Sequence, residues 1–280
     1  KHPAGVINSL DVVDRLLALP ADSLIQLLRN KSIWIVPLVN PDAYYRNSTT
    51  NIWNAGNARV IDNDRDGRID EDPSKDLNGD KVIAQMRIKS IAGTHIEHPV
   101  FKEVLIEADR SKGERGTYLV DVEGVDLDFD GKYGEDGDGG VNLDRNFTFD
   151  YPAFYPESGS YAASEPETKA LMDFVFNHPQ ISTILHFGLS NNLTEPERFN
   201  SGKANERIIS SWSEDDAKVA AYVSGIYKGL TKPLGEPTKM EQMPGNFTNT
   251  GYYHLGKFSF STPTWWPSVA DSIQRIKAAD

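Results

Sequence analysis

Ile33-Trp34-Ile35-Val36-Pro37-Leu38-Val39, closing on the turn Asn40-Pro41-Asp42, is the stretch on which the fold reading depends. An unbroken apolar run rich in β-branched residues and stopped by turn formers reads as a strand buried on both faces. Upstream, Val6, Leu10, Val13 and Leu17 recur at helical spacing until Pro20, and Asp22 or Ser23 can cap a second short helix to about residue 30. Downstream, Ser164-Glu165-Pro166-Glu167 reads as a capping box with proline in the first turn, opening a helix through Leu171, Phe174 and Val175. Residues 181–187 and 258–262 read as two further strands. A helix is expected from 214 to about 230 with Val219, Tyr222, Val223 and Ile226 on one face, and a terminal helix over 268–279. Strands alternating with helices predict an α/β layered fold, and no linker divides the 280 residues, so one domain is expected over 1–280.

The chain carries a formal charge of −12 and no cysteine. The acidic balance argues against a nucleic-acid partner, which needs a basic face. Lack of cysteine removes disulfides, thiolate zinc ligands and a thiol nucleophile. No apolar run reaches the roughly 18–20 residues of a membrane helix, so no membrane span is expected.

The charge is concentrated in two segments. Residues 61–80 carry a net −5 and residues 121–140 a net −7, which together make up the whole −12. The first contains Asp62-Asn63-Asp64-Arg65-Asp66-Gly67 and then Asp70, Glu71 and Asp72; the second contains Asp126-Leu127-Asp128-Phe129-Asp130-Gly131 and then Glu135 and Asp136. Matched positions differ by 64. Oxygens on alternate residues, with a glycine at the sharp turn, suit a loop wrapped around calcium. The EF-hand position for a bidentate Glu falls on Pro73 and Gly137, so these are calcium-type loops without EF-hand helices. The candidate calcium ligands are Asp62, Asp64, Asp66, Asp70, Asp72, Asp126, Asp128, Asp130 and Asp136, with Asp76-Leu77-Asn78-Gly79-Asp80 as a further group beside the first loop.

Several segments taken in order resemble the zinc metallocarboxypeptidase family, the carboxypeptidase A-like peptidases. Residues 36–42 (Val-Pro-Leu-Val-Asn-Pro-Asp) look like its strand-to-turn motif. Gly140-Val141-Asn142-Leu143-Asp144-Arg145-Asn146-Phe147 looks like its substrate-carboxylate motif, and Ser164-Glu165-Pro166-Glu167-Thr168 like its helix start. Gly251-Tyr252-Tyr253-His254-Leu255-Gly256 looks like the stretch bearing its active-site tyrosine. The acidic loops, with Gln85-Met86-Arg87 after the first, resemble insertions in bacterial branches. The resemblance implies a mixed, roughly eight-stranded sheet with helices on both faces, here lacking N-terminal strands, and a location outside the cytoplasm: secreted, periplasmic or on a bacterial cell surface.

The family holds zinc with His-x-x-Glu and a distant His, and uses a Glu near the C-terminus as general base. This chain departs from that pattern. His2-Pro3-Ala4-Gly5 stands where His-x-x-Glu should be, His186 is the candidate third ligand, and Pro263 occupies the general-base position. The site His2, Gly5 and His186 is therefore a degenerate zinc site from which zinc is expected to be absent, and no catalytic residue is assigned. The substrate end is better kept. Arg145 matches the arginine that grips a peptide C-terminal carboxylate, Asp144 stands where the family has Asn, Tyr253 matches the mobile tyrosine, and a second substrate arginine would be Arg59 or Arg87.

The expected role is a calcium-stabilised, non-catalytic binding or assembly component that takes a peptide C-terminus or a protein partner in the former active-site cleft. An active zinc carboxypeptidase is the first alternative. A glycan-binding accessory domain is the second, suggested by Trp212, Trp265 and Trp266 with Tyr252 and Tyr253 in the C-terminal third.

Overall fold

A computed structural model describes residues 3–49, 54–61, 69, 72–127, 129–134, 140–235 and 243–264. The chain divides into two compact units. The first comprises Lys1–Ser48, Ala55–Asn57 and Val141–Asp280; the second comprises Thr49–Asn54 and Ala58–Gly140.

In the first unit, α1 (Pro3–Leu17), α2 (Ala21–Leu28) and α3 (Pro41–Thr49) precede α4 (Pro166–Asn177) and β5 (Thr183–Phe187). The short α5 (Ser201–Ala204), then α6 (Glu214–Thr231), α7 (Phe247–Tyr253) and β6 (Phe258–Thr262) follow. The second unit carries β1 (Gln85–Lys89), β2 (His95–Glu97), β3 (Leu105–Glu107) and β4 (Tyr118–Val122), all antiparallel in the order β1-β4-β2-β3.

The expected eight-stranded mixed sheet is not what the chain forms. Among the described residues there are a four-stranded antiparallel sheet in one unit and a two-stranded parallel pair, β5–β6, in the other, with seven helices. The correction begins at residues 33–39. This run has no regular secondary structure and belongs to no strand, and Ile33 and Val36 are each about half exposed. Two causes are visible. Pro37 has no N–H to give a ladder at the centre of the run. Trp34 fixes the segment by its side chain instead, with its ring 6.4 Å from Phe174 and 5.7 Å from His178 at the end of α4.

The parallel pair organises the first unit. Register runs from Thr183 opposite Phe258 to Phe187 opposite Thr262. Successive strand side chains point to opposite faces. Phe258 and Phe260 join Trp212, Leu193 and Ala220 in one apolar cluster, while Ile184 joins Phe147, Val175 and Phe247 in another. The outer edge of β6 is closed by a side chain: Asn192 Nδ2 donates to the Ser259 carbonyl at 2.8 Å, and its Oδ1 accepts the Ser261 N–H at 2.7 Å. The side-chain amide thus takes the place of a strand.

Helix starts follow local chemistry. Ser213 Oγ accepts the Asp216 N–H at the start of α6, where Glu214, Asp215 and Asp216 lie at the positive end of the helix dipole. Asn246 caps α7 by accepting the Asn249 N–H. The capping box expected at α4 does not form. Glu165 is the N-cap and makes no side-chain cap bond, because its carboxylate is engaged elsewhere. The face of α6 that packs inward is not the one its large apolar residues mark. Ala217, Ala220, Val223 and Tyr227 pack inward, whereas Val219, Tyr222 and Ile226 are exposed. The expected terminal helix, Trp265 and Trp266 lie outside the described residues.

Candidate functional site

Asn146 is the residue around which the cleft is built. It is fully buried. Its Nδ2 donates to the Ser158 and Tyr161 carbonyls and to Ser164 Oγ at 2.8, 3.1 and 3.0 Å. Its Oδ1 accepts the Glu165 N–H at 3.2 Å and Thr168 Oγ1 at 2.7 Å. The segment 140–147 and the start of α4 are thus bonded to one another through a single side chain. Buried Glu165 extends the network: Oε1 accepts from Ser164 Oγ and Oε2 from Asn57 Nδ2, and Asn57 Oδ1 accepts the Val141 N–H.

This framework presents a 3-10 turn, Leu143–Arg145, capped by Asn142. Asp144 Oδ1 accepts the Phe247 N–H at 3.2 Å, which ties the turn to α7. The Arg145 guanidinium lies over the Tyr155 ring, 4.2 Å from its centroid. Its Nε is buried without a hydrogen-bond partner, and among the described residues no carboxylate pairs with it. A planar cation held against an aromatic face, with donors unengaged, suits a carboxylate ligand.

The C-terminal ends of β5 and β6 carry the positions expected to hold zinc and the general base. His186 stands near the end of β5 with Nδ1 3.4 Å from Thr248 Oγ1 and its ring edge-on to Phe247. Gly188 lets the His186 ring lie against the backbone, since a Cβ there would sit 2.9 Å from both ring nitrogens and would displace the imidazole. Gly5 of α1 faces the same strand ends, and a Cβ there would lie 3.3 Å from Thr264 Cγ2 and 3.7 Å from Phe187 Cβ. Asn8 Nδ2 fixes this approach by donating to the Thr264 carbonyl. Gly5, His186 and buried Pro263 are therefore brought to one end of the parallel pair, where open α/β sheets bind ligands. Gly5 and Pro263 offer no side-chain ligand or proton acceptor there, and His2 lies outside the described residues. A cavity of about 960 Å³ opens beside these strand ends, lined in part by Gly5, Trp34, Val36, Asp144, His186 and Phe247.

Burial holds the His186 imidazole below its ordinary pKa of 6.5, and the Asp144 charge partly opposes this. The folded protein therefore binds fewer protons here than the unfolded chain as pH falls below the ordinary value. Stability is fully present above that value and is lost as pH drops toward the depressed folded one, at no more than about 1.4 kcal/mol per pH unit. Melting temperatures should decline from neutral to mildly acid pH, and Asp144→Asn should lower the His186 pKa further in an NMR titration. An upward shift of that pKa in the variant would contradict the assignment.

Tyr253 stacks on Phe149 with centroids 4.1 Å apart, and burial first, then the Glu197 charge, pushes its phenol well up. It is a neutral hydrogen-bond donor at working pH. Neighbouring Tyr252 stacks on Trp212, donates to Asp216 and accepts the Ser213 N–H; Trp212 is a core residue and Tyr252 is half-buried against it. Arg59 and Arg87 both belong to the second unit. There Arg87 lies 4.0 Å from Glu97, over the Tyr118 ring, and donates to the Lys102 carbonyl.

The acidic segments lie in the second unit. Asp72 is buried and its Oδ1 accepts the Leu127 N–H at 2.8 Å, which joins the end of the first loop to the start of the second. Asp126 accepts the Phe129 and Gly131 N–H groups, and Asp130 accepts from the Lys132 N–H and ammonium. Asp62, Asp64, Asp66, Asp70, Asp128 and Asp136 lie outside the described residues. Among the described residues no group of three or more acidic, His or Cys side chains is placed to hold a metal.

The third group lies wholly within the described residues. Asp76 accepts the N–H groups of Gly79, Asp80 and Lys81. Glu123, almost fully buried, accepts those of Leu77 and Asn78 on Oε1 and of Ala84 on Oε2.

Comparison with protein-family models, with curated proteins and with solved structures finds no match. The functional reading therefore rests on the residues themselves. No helix among the described residues is long and apolar enough to cross a membrane.

Proposed function

We propose that the chain is a carboxypeptidase-like binding protein, without peptidase activity, that holds the C-terminal carboxylate of a peptide or partner protein at Arg145. The observation that carries this reading is the Arg145 guanidinium, stacked on Tyr155 with no described carboxylate partner, close in sequence to Asp144, which lines the cavity. Asp144 is bonded to the Phe247 N–H, so its oxygen is turned to the protein rather than to the arginine. Catalysis by the family mechanism would need three zinc ligands and a base. Gly5 and Pro263 supply neither at the strand ends where His186 stands.

Calcium is proposed as the resident cation of the acidic segments, with Asp72, Asp126 and Asp130 among the oxygens that would hold it; the fit rests on their alternating carboxylates. Bound calcium would neutralise carboxylates crowded into two short segments. A site outside the cytoplasm, where calcium is plentiful, is the proposed location.

The test is calorimetric titration of a peptide with a free C-terminus against its amide. Binding of the free acid alone, weakened at least about tenfold by Arg145→Ala and without cleavage, supports the proposal. Equal binding of acid and amide overturns the carboxylate reading. Tight stoichiometric zinc with chelator-sensitive hydrolysis overturns the non-catalytic one and establishes the peptidase. Melting in a calcium chelator reports on the cation separately, and an unchanged curve would remove calcium from the account.

A further inference from the structure

Asn78-Gly79 is the chain's only Asn–Gly pair. It lies in the loop 76–84 of the second unit. Asn78 is exposed, Gly79 has a left-handed φ of 77°, and nothing lies within 4 Å of where its Cβ would be. Glycine in the second position is the condition under which a main-chain nitrogen most easily reaches the preceding side-chain carbonyl carbon, because no side chain shields it. Lys81, two residues on, also has a left-handed φ, of 70°, so the loop keeps a backbone form that a non-glycine residue adopts only at a cost.

The loop is held closed by its own carboxylates. Asp76 Oδ1 accepts the Gly79 N–H at 2.6 Å. Asn78 Oδ1 accepts the Asp80 N–H at 2.8 Å, and its Nδ2 donates to Asp80 Oδ2 at 3.1 Å. The nitrogen that would attack is thus bound to an anion that disfavours loss of its proton. The amide that would be attacked is turned toward Asp80.

We infer that Asn78 is a deamidation site and that Asp76, by holding the Gly79 N–H, sets its rate. When that bond opens, the Gly79 nitrogen attacks Asn78 Cγ. A Cγ–N bond forms, the Cγ–Nδ2 bond breaks, and Nδ2 leaves as ammonia with the proton lost from Gly79. Water then opens the five-membered imide at either carbonyl, giving aspartate or isoaspartate at position 78. Either product adds a negative charge between Asp76 and Asp80. The isoaspartate form also lengthens the main chain by one methylene, which misplaces the Asp80 N–H relative to the side chain that accepted it. The reaction needs only water, and it does not depend on whether the neighbouring segments bind a cation.

The experiment is incubation of the full chain at mildly alkaline pH, followed by peptide mapping by mass spectrometry with enzymatic detection of isoaspartate. Conversion is expected at Asn78 ahead of every Asn–Ser and Asn–Ala pair, and Asp76→Ala should speed it about tenfold, the factor of one charge-assisted hydrogen bond. Asn78→Gln, whose larger imide closes far more slowly, should abolish the product. If Asp76→Ala loses its melting transition, Asp76→Asn carries the comparison, since it keeps an acceptor for Gly79 without the charge and should show an intermediate rate. Asn78 remaining intact while another asparagine converts, or folded Asp76 variants reacting no faster than the parent, overturns the inference.

Discussion

Asn146→Ala is expected to destabilise the first unit by on the order of 3–5 kcal/mol, the largest effect of any single substitution in the cleft. The side chain is fully buried and makes five hydrogen bonds, to Ser158, Tyr161, Ser164, Glu165 and Thr168. Truncation leaves two carbonyls, one N–H and two hydroxyls to find other partners in a space that water does not reach, and a buried group left unpaired costs roughly 1–3 kcal/mol. Asn146→Asp should be similarly severe, because oxygen in place of Nδ2 would face the Ser158 and Tyr161 carbonyls. Urea denaturation of the purified variants measures both. A loss below about 1 kcal/mol would mean that the network is dispensable.

Glu123→Ala should have an effect of similar size in the second unit. Its carboxylate receives three main-chain N–H groups from Leu77, Asn78 and Ala84, and its own main chain bonds to Lys75 and Ala84. Removal leaves three donors unanswered and frees both ends of the loop 76–84, at a cost of roughly 3 kcal/mol. Glu123→Gln presents an amide N–H to donors and should recover less than half of that. Hydrogen exchange provides the readout, with the Leu77, Asn78 and Ala84 amides losing protection first. Retained protection at these three amides in Glu123→Ala would show that the loop is held by other means.

Helices α1, α2, α4 and α6 and the two strands of the first unit were legible because their apolar spacing is local, whereas the short α3, α5 and α7 carry too few turns for a periodic signal. Val6 to Leu17 predicts α1, and residues 181–187 and 258–262 predict β5 and β6 to within two residues. The run 33–39 reads as a strand from composition, but strand formation needs a partner, and whether one is adjacent is not written in seven apolar residues. Pro37 was the signal against it. Similarly, Val219, Tyr222 and Ile226 look like an inner helix face by hydrophobicity alone, yet α6 turns its small residues Ala220 and Ser224 inward so that it can approach the aromatic cluster.

The cleft was legible in part: Gly5, Asp144 and His186 line the cavity, whereas Arg145 and Tyr253 are not among its lining residues. Gly5, His186 and Pro263 do gather at one end of the parallel pair, and Arg145 is presented on a capped turn. What holds them there was not. Asn146 and Glu165, which bond the segment bearing Arg145 to the start of α4, are polar, and polar residues in a sequence read as surface until their partners are known. The recurrence of Asn at 142 and 146 around an Asp-Arg pair was the available hint, since a buried amide can serve donors and acceptors at once.

Three of the asparagines that organise the first unit also begin Asn-x-Thr triplets: Asn146-Phe147-Thr148, Asn192-Leu193-Thr194 and Asn246-Phe247-Thr248. One joins the cleft to α4, one closes the edge of β6 and one caps α7, and none is more than 3% exposed. Asn-x-Thr is the acceptor for N-linked glycans, which are bulky and require a surface position. A secretory pathway that glycosylates the growing polypeptide meets these amides before folding hides them, and a sugar on any of the three would occupy the place of its hydrogen-bond partners. Glycosylation at any of the three is therefore incompatible with the fold described here.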